Sequence, residues 1–201
     1  MSEMHESNEA AVTAVLTTPE AWRGYLRRYD ELYLRNRASD QELFDLLEED
    51  EVEALDEGGR LERWLGEEPA QDETVAAAEG RLGVRFPPSL RGFLLASDGW
   101  IRVSGWVDLV YPCARIAWMR DTGAGASLIP LYGEEFDNDE YADLFRRSME
   151  VAAGEDVWLL DPADIGPDGE WAAYLFTPKY GDLRKFTSFP TLFHHGYKAM
   201  E

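Results

Sequence analysis

A chain of 201 residues that is 45% hydrophobic and holds seven Trp, nine Tyr and nine Phe has ample material for one packed core, which excludes wholesale disorder. Its net charge of −21 sets it against nucleic acid and anionic membrane surfaces and toward basic protein partners, although the same acidity also serves plain solubility. A single cysteine, Cys113, excludes an internal disulfide, and with an acidic start and an apolar stretch at 10–16 too short to span a bilayer the reading is a cytoplasmic protein.

The first third is the more acidic part, with 19 acidic and 7 basic residues over 1–70 against 21 and 12 over 71–201. It reads as helical. Pro19 suits a helix start, and Trp22, Leu26, Tyr29 and Tyr33 then recur at helical spacing. A second segment, 40–55, places Leu43, Leu46, Leu47 and Val52 on one side with Asp40 as cap, and Gly58-Gly59 ends it. Its run Glu48-Glu49-Asp50-Glu51 weakens an isolated helix, so this segment is expected to lean on another surface. A short piece at 60–66 presents Leu61, Trp64 and Leu65.

The stretch 72–100 is the most informative. Asp72 is placed to cap a helix in which Val75, Ala78, Glu79 and Leu82 share one face, and Gly83 sits where a left-handed stop is needed. Pro87-Pro88 opens a second helix, with Ser89 as a candidate cap and Leu90, Phe93 and Leu94 as its apolar stripe. Asp98-Gly99 turns the chain into strands. A carboxylate such as Glu79 near an apolar face is more often a tether to a backbone amide or an arginine than a catalytic group.

Beyond Trp100 the expected strands are 107–111, 115–119, 156–161, 170–177 and 184–186. Residues 122–127 read as a Gly/Ala-rich loop, 127–132 as a strand or turn, 134–140 as an acidic loop and 141–149 as a helix. Ser188 and Phe189 cap a closing helix that carries Leu192 and Phe193. Helices first and antiparallel strands later imply an α+β domain.

Several constellations fail on chemistry. His194 and His195 are adjacent, so on a helix they diverge by about 100°, and one thiol cannot complete a zinc set. Asp137-Asn138-Asp139-Glu140 lacks the glycine and terminal glutamate of a calcium loop. Gly123-Ala-Gly125 lacks the Lys-Ser/Thr of a phosphate loop, and Ser104 has no Gly-x-Ser-x-Gly elbow. No metal, no cofactor and no catalytic set is therefore expected. Trp118, Trp158 and Trp171 read as core. Trp100 and Trp106, just after the turn, fit either a core ring or an interface anchor.

The ordered set Glu79, Leu82-Gly83, Phe86-Pro87, Phe93-Leu94 and Asp98-Gly99, followed by 158–162, Trp171 and 187–189, resembles the pattern of the SUKH superfamily, the Smi/Knr-like proteins, with Phe86 in place of the more usual Leu. The resemblance spans about residues 64–195. It implies a mostly antiparallel open sheet flanked by helices, no shared catalytic chemistry, and a role in binding proteins. Many bacterial relatives are immunity proteins against toxins, often nucleases, and some fungal relatives are regulatory hubs in cell-wall signalling. The expected organisation is an acidic helical N-terminal extension, 1–63, and a SUKH-like domain, 64–201. The expected partner is a basic protein, either a toxin domain or a cellular client. Glu134, Glu135, Asp137, Asp139 and Glu140 would supply steering charge, and Trp100 or Trp106 the apolar anchor.

Overall fold

The computed structural model describes residues 16–39, 65–104 and 106–199. The expected helix at 40–55, and Leu61 and Trp64 of the 60–66 piece, lie outside the described residues.

Helix α1, Pro19–Ser39, follows the first three residues of the predicted stripe. Trp22, Leu26 and Tyr29 are fully buried, whereas the fourth, Tyr33, is half-buried and Leu32 takes the deeper place beside it, as apolar residues three and four apart share one face. The Trp22 ring lies 5.3 Å from both Phe93 and Phe193 and 5.6 Å from Phe189, and its indole N–H donates to the Ser89 carbonyl at 2.9 Å. Burying a ring of this size contributes up to about 3 kcal/mol, so α1 is anchored by a few aromatic contacts.

Helices α2, Asp72–Leu82, and α3, Pro88–Leu94, form the expected hairpin. Gly83 ends α2 with φ 71°, a conformation that costs glycine nothing. Two caps differ from expectation. Gln71 holds the N-cap of α2 without a side-chain bond, and Asp72, one residue inside, pairs with Arg91 at 2.7 Å. Pro87 holds the N-cap of α3, and Ser89, inside the helix, gives its N–H (2.8 Å) and its hydroxyl to the Glu170 carboxylate. One orphan donor of α3 is thus met by a distant side chain. Glu79 is a tether of both foreseen kinds, accepting from the Phe86 amide at 3.0 Å and from Arg91 at 3.1 Å.

Seven antiparallel strands make one open sheet: β1 Trp100–Ser104, β2 Val107–Val110, β3 Ala117–Trp118, β4 Met149–Ala153, β5 Val157–Ile165, β6 Trp171–Thr177 and β7 Asp182–Phe186. The order is β1-β2-β4-β5-β6-β7, with β3 beside the start of β4. The outer edge of β1 is covered at one point, where Gly66 bridges Trp100 and the Ile101 amide bonds Leu65.

Period-two alternation divides the core. Trp158, Leu160, Trp171 and Ala173 face α1, α2, α3 and the closing helix α6, Phe189–Lys198. Val157, Leu159 and Phe176 face Met119, Tyr132, Ala142 and Phe145 on the other side. The fold is α+β, an antiparallel open sheet with helices on both faces. Ser188 and Thr191 form a capping box at the start of α6.

The middle of the chain departs from the sequence reading. The expected strand 115–119 shrinks to Ala117–Trp118, because the Arg115 and Ile116 amides turn back onto the Pro112 carbonyl. The expected loop 122–127 and strand or turn 127–132 are instead helix α4, Gly123–Pro130, then a π-turn, Leu131–Glu135. Thr122 starts α4 by accepting from the Gly125 amide at 3.1 Å. A β-carbon on Gly125 would lie 1.8 Å from the Met119 carbonyl oxygen, so the glycine permits this close approach. Helix α5, Asp139–Arg147, stops before Met149. Residues 149–153, read partly as helix, are strand β4, since pairing on both sides outweighs local propensity. Strand β5 runs through Pro162; β4 pairs with it only as far as Leu160, so the absent proline N–H breaks no bond on that side.

Candidate protein-binding surface

Turns at one end of the sheet meet, and the registers show why. β1 and β2 close at Trp106, where Ser104 pairs Val107. β4 and β5 close at 154–156, where Ala153 pairs Val157. β6 and β7 close at 178–181, where Thr177 pairs Asp182. Since Val157 also pairs Phe176, all three hairpin turns lie at the same end. Side contacts lock them together. The Asp156 amide donates to the Trp106 carbonyl at 2.9 Å, and a β-carbon on Gly154 would sit 2.6 Å from that same oxygen. The Asp156 side chain bonds Thr177, and burial holds its carboxyl above the ordinary range while that bond opposes the shift.

The π-turn joins this end through Tyr132. Its ring packs 5.8 Å from Phe176 and 5.4 Å from Phe136, and its hydroxyl would be 2.9 Å from a β-carbon on Gly181, whose φ is 70°. The Asn138 amide returns to the Tyr132 carbonyl at 2.8 Å, and the Asn138 side chain caps α5 at the Tyr141 amide, 3.2 Å. Glu134, Glu135, Asp137, Asp139 and Glu140 are therefore held at the rim of the sheet, all exposed. Asp108, Glu155 and Asp182, exposed on the hairpins, extend the anionic field. Lys179 is the one basic residue among 104–107, 131–138, 154–156 and 178–181.

The two tryptophans considered as anchors part company. Trp106 is 58% exposed on its hairpin. Trp100 is fully buried, edge-on to Tyr29 at 5.8 Å and to Phe193 at 6.5 Å, so the reading of Trp100 as a surface anchor is corrected: β1 turns it toward α1 and α6. Sequence reasoning missed two residues of this surface, Phe136 at 60% and Tyr180 at 69% exposure. A usable signal was present, an aromatic set alone in a run of carboxylates or in a Pro-Lys-Tyr-Gly turn, where no apolar stripe could bury it.

Several buried polar groups elsewhere have structural partners. Glu170 is held above the ordinary carboxylate range by burial, a shift the two Ser89 bonds oppose. Burial, with Asp98 nearby, pushes the Cys113 thiol up to about 12, so it is a poor nucleophile. The adjacent histidines diverge: His194 is buried with Nδ1 2.8 Å from the Tyr25 hydroxyl, while His195 lies against Phe186, 5.3 Å between rings. Among the described residues no group of three or more His, Cys, Asp or Glu is placed to hold a metal ion, and no helix is long and apolar enough to cross a membrane. A shallow hollow of about 230 Å³ between Arg23, Arg27, Glu67 and Glu68 is smaller than the roughly 300–1,000 Å³ usual for small-molecule sites.

What this sheet end can do chemically is attract and hold cations. Its carboxylates project from turns into water, where they act as a field and as hydrogen-bond acceptors. Comparison with known families finds that residues 69–191 match the model described as SMI1 / KNR4 family (SUKH-1). No curated protein matches the chain.

Proposed function

Because the chain belongs to the SMI1 / KNR4 family (SUKH-1), we propose that it is a non-enzymatic protein-binding module, and specifically a bacterial immunity protein that neutralises a nuclease-type toxin by covering its basic surface. The family includes immunity proteins and Smi1/Knr4 members, and the observation that favours the first role is the sheet end, where exposed carboxylates and an exposed Trp106 stand on turns that share one rim. A nuclease must offer a cationic face to its substrate, and a protein of opposite field occludes that face most directly. Glu134, Glu135, Asp137, Asp139 and Glu140 steer the encounter, and Trp106 supplies apolar contact.

Co-expression of the full chain with toxin domains encoded beside its gene tests the reading. Growth is expected to be restored against one of them, and E134Q/E135Q/D137N is expected to slow association with that toxin about tenfold at low salt and to flatten its salt dependence. Failure to protect against any neighbouring toxin, with capture of a cell-wall or signalling client instead, would replace this role with that of a regulatory adaptor.

A further inference from the structure

Four large hydrophobic side chains stand out as exposed among the described residues: Trp106, Phe136, Ile165 and Tyr180. Three of them, all aromatic, sit at the same end of the sheet on three separate turns, and Ile165 lies at the far end of β5. An exposed ring costs hydration, and three such rings stand spaced along one sheet end, on turns linked through the contacts Trp106 to Asp156, Asp156 to Thr177 and Tyr132 to Phe136, an arrangement that solubility alone does not explain. The carboxylates around it fix the sign of the partner.

Resting on the protein-binding reading above and narrowing it, we propose that the partner is read through arginine: guanidinium groups of a cationic protein segment lie against Trp106, Phe136 and Tyr180 while the neighbouring carboxylates accept their N–H bonds. A guanidinium is planar, stacks on aromatic faces and is more weakly hydrated than an ammonium, so rings set among carboxylates select arginine over lysine, whereas carboxylates alone attract both. The chain uses the same contact internally, with Arg115 over Tyr111 at 4.1 Å and Arg120 over Trp118 at 4.8 Å. Lys179 lies 5.5 Å from the Tyr180 ring centroid, so that ring already accepts a cation. Because the rings stand on different turns, a single flexible side chain does not satisfy them; the geometry fits a segment carrying several arginines.

Titration of the full chain with deca-arginine and deca-lysine peptides, followed by amide chemical shifts, tests the inference. Deca-arginine is expected to bind about tenfold more tightly, the effect of two or three exposed ring contacts. The shifts should fall at 106–108, 134–137, 155 and 179–182. W106A/F136A/Y180A, and the leucine counterparts that keep bulk without the ring quadrupole, are expected to bring the two peptides within about twofold of each other. E134Q/E135Q/D137N should weaken both peptides alike, and E20Q/E73Q/D121N, equal in charge but placed elsewhere, should leave the preference intact. Equal binding of the two peptides by the unaltered chain, or a preference that survives loss of the rings, overturns the inference. Either result leaves toxin neutralisation standing, and failed neutralisation leaves an observed arginine preference standing.

Discussion

The two faces of the sheet are built from the same residue types to different ends. On one face Trp22, Phe93, Phe189 and Phe193 are all fully buried and meet mostly edge to face, which locks α1, α3 and α6 onto the strands. On the other, Tyr132 and Tyr141 are 5.2 Å apart, and the next ring outward, Phe136, stands in water. The first face spends these aromatics on cohesion; the second buries Phe145 and Phe176 for the same end but also displays a ring at its rim. Charge divides similarly. Helix α1 carries Arg23, Arg27, Arg28, Arg35 and Arg37 against Glu20, Asp30 and Glu31, while residues 134–140 carry five acids and no base. The net charge of −21 is thus unevenly placed, and the rim of the second face is the surface proposed above to meet a basic partner.

The sharpest way to break this contrast is to remove the keystone of the first face. Trp22→Ala is expected to destabilise the fold by about 4 kcal/mol, through the lost ring contacts and the cavity left behind, in chemical denaturation. A small loss, under about 1 kcal/mol, would show that α1 is peripheral. The second face has its own weak point in a backbone approach. Gly125→Ala forces a β-carbon onto the Met119 carbonyl and is expected to cost about 3 kcal/mol, with the π-turn losing order and with it the rim carboxylates their position.

A smaller effect sharpens the first face. Burial lifts the Asp30 carboxyl to about 6, with its bond from the Leu65 amide opposing and Glu31 adding. The folded chain therefore binds a proton at pH values where the unfolded chain has released it. Stability from this group falls as pH rises from about 4 to about 6 and stays lowered above that. Asp30→Asn keeps an acceptor for the Leu65 amide and removes the charge. It is expected to be more stable at pH 7 by ~1 kcal/mol, after allowance for solvent screening, and to lose that slope in denaturation measured across pH 4–7.

Features with local causes were legible in the sequence. The stripe of α1, the left-handed Gly83, the tether at Glu79 and the closing helix behind Ser188 all follow from spacing and neighbours within one or two turns. Features with distant causes were not. Gly123-Ala-Gly-Ala is the exception, a helix with near causes: Thr122 caps it and Gly125 permits the approach to Met119, yet its glycines read as loop by composition. Met149–Ala153 becomes a strand because β2, β3 and β5 pair with it. Of the residues proposed for partner contact, the five acids and Trp106 could be named from the sequence. The direction of β1 removes Trp100 from that set, and Phe136 and Tyr180, though marked by their polar neighbours, join it only because turns far apart in the chain meet at one end of the sheet.

The most direct measurement is hydrogen exchange of the full chain with and without a toxin domain against which co-expression shows it to protect. Slowed exchange is expected at 106–108, 134–137, 154–156 and 179–182, with the outer faces of α1 and α2 unchanged. Protection confined to α1 and α2, with those four turns exchanging as in the free protein, would contradict the assignment of the sheet end as the surface that grips a partner.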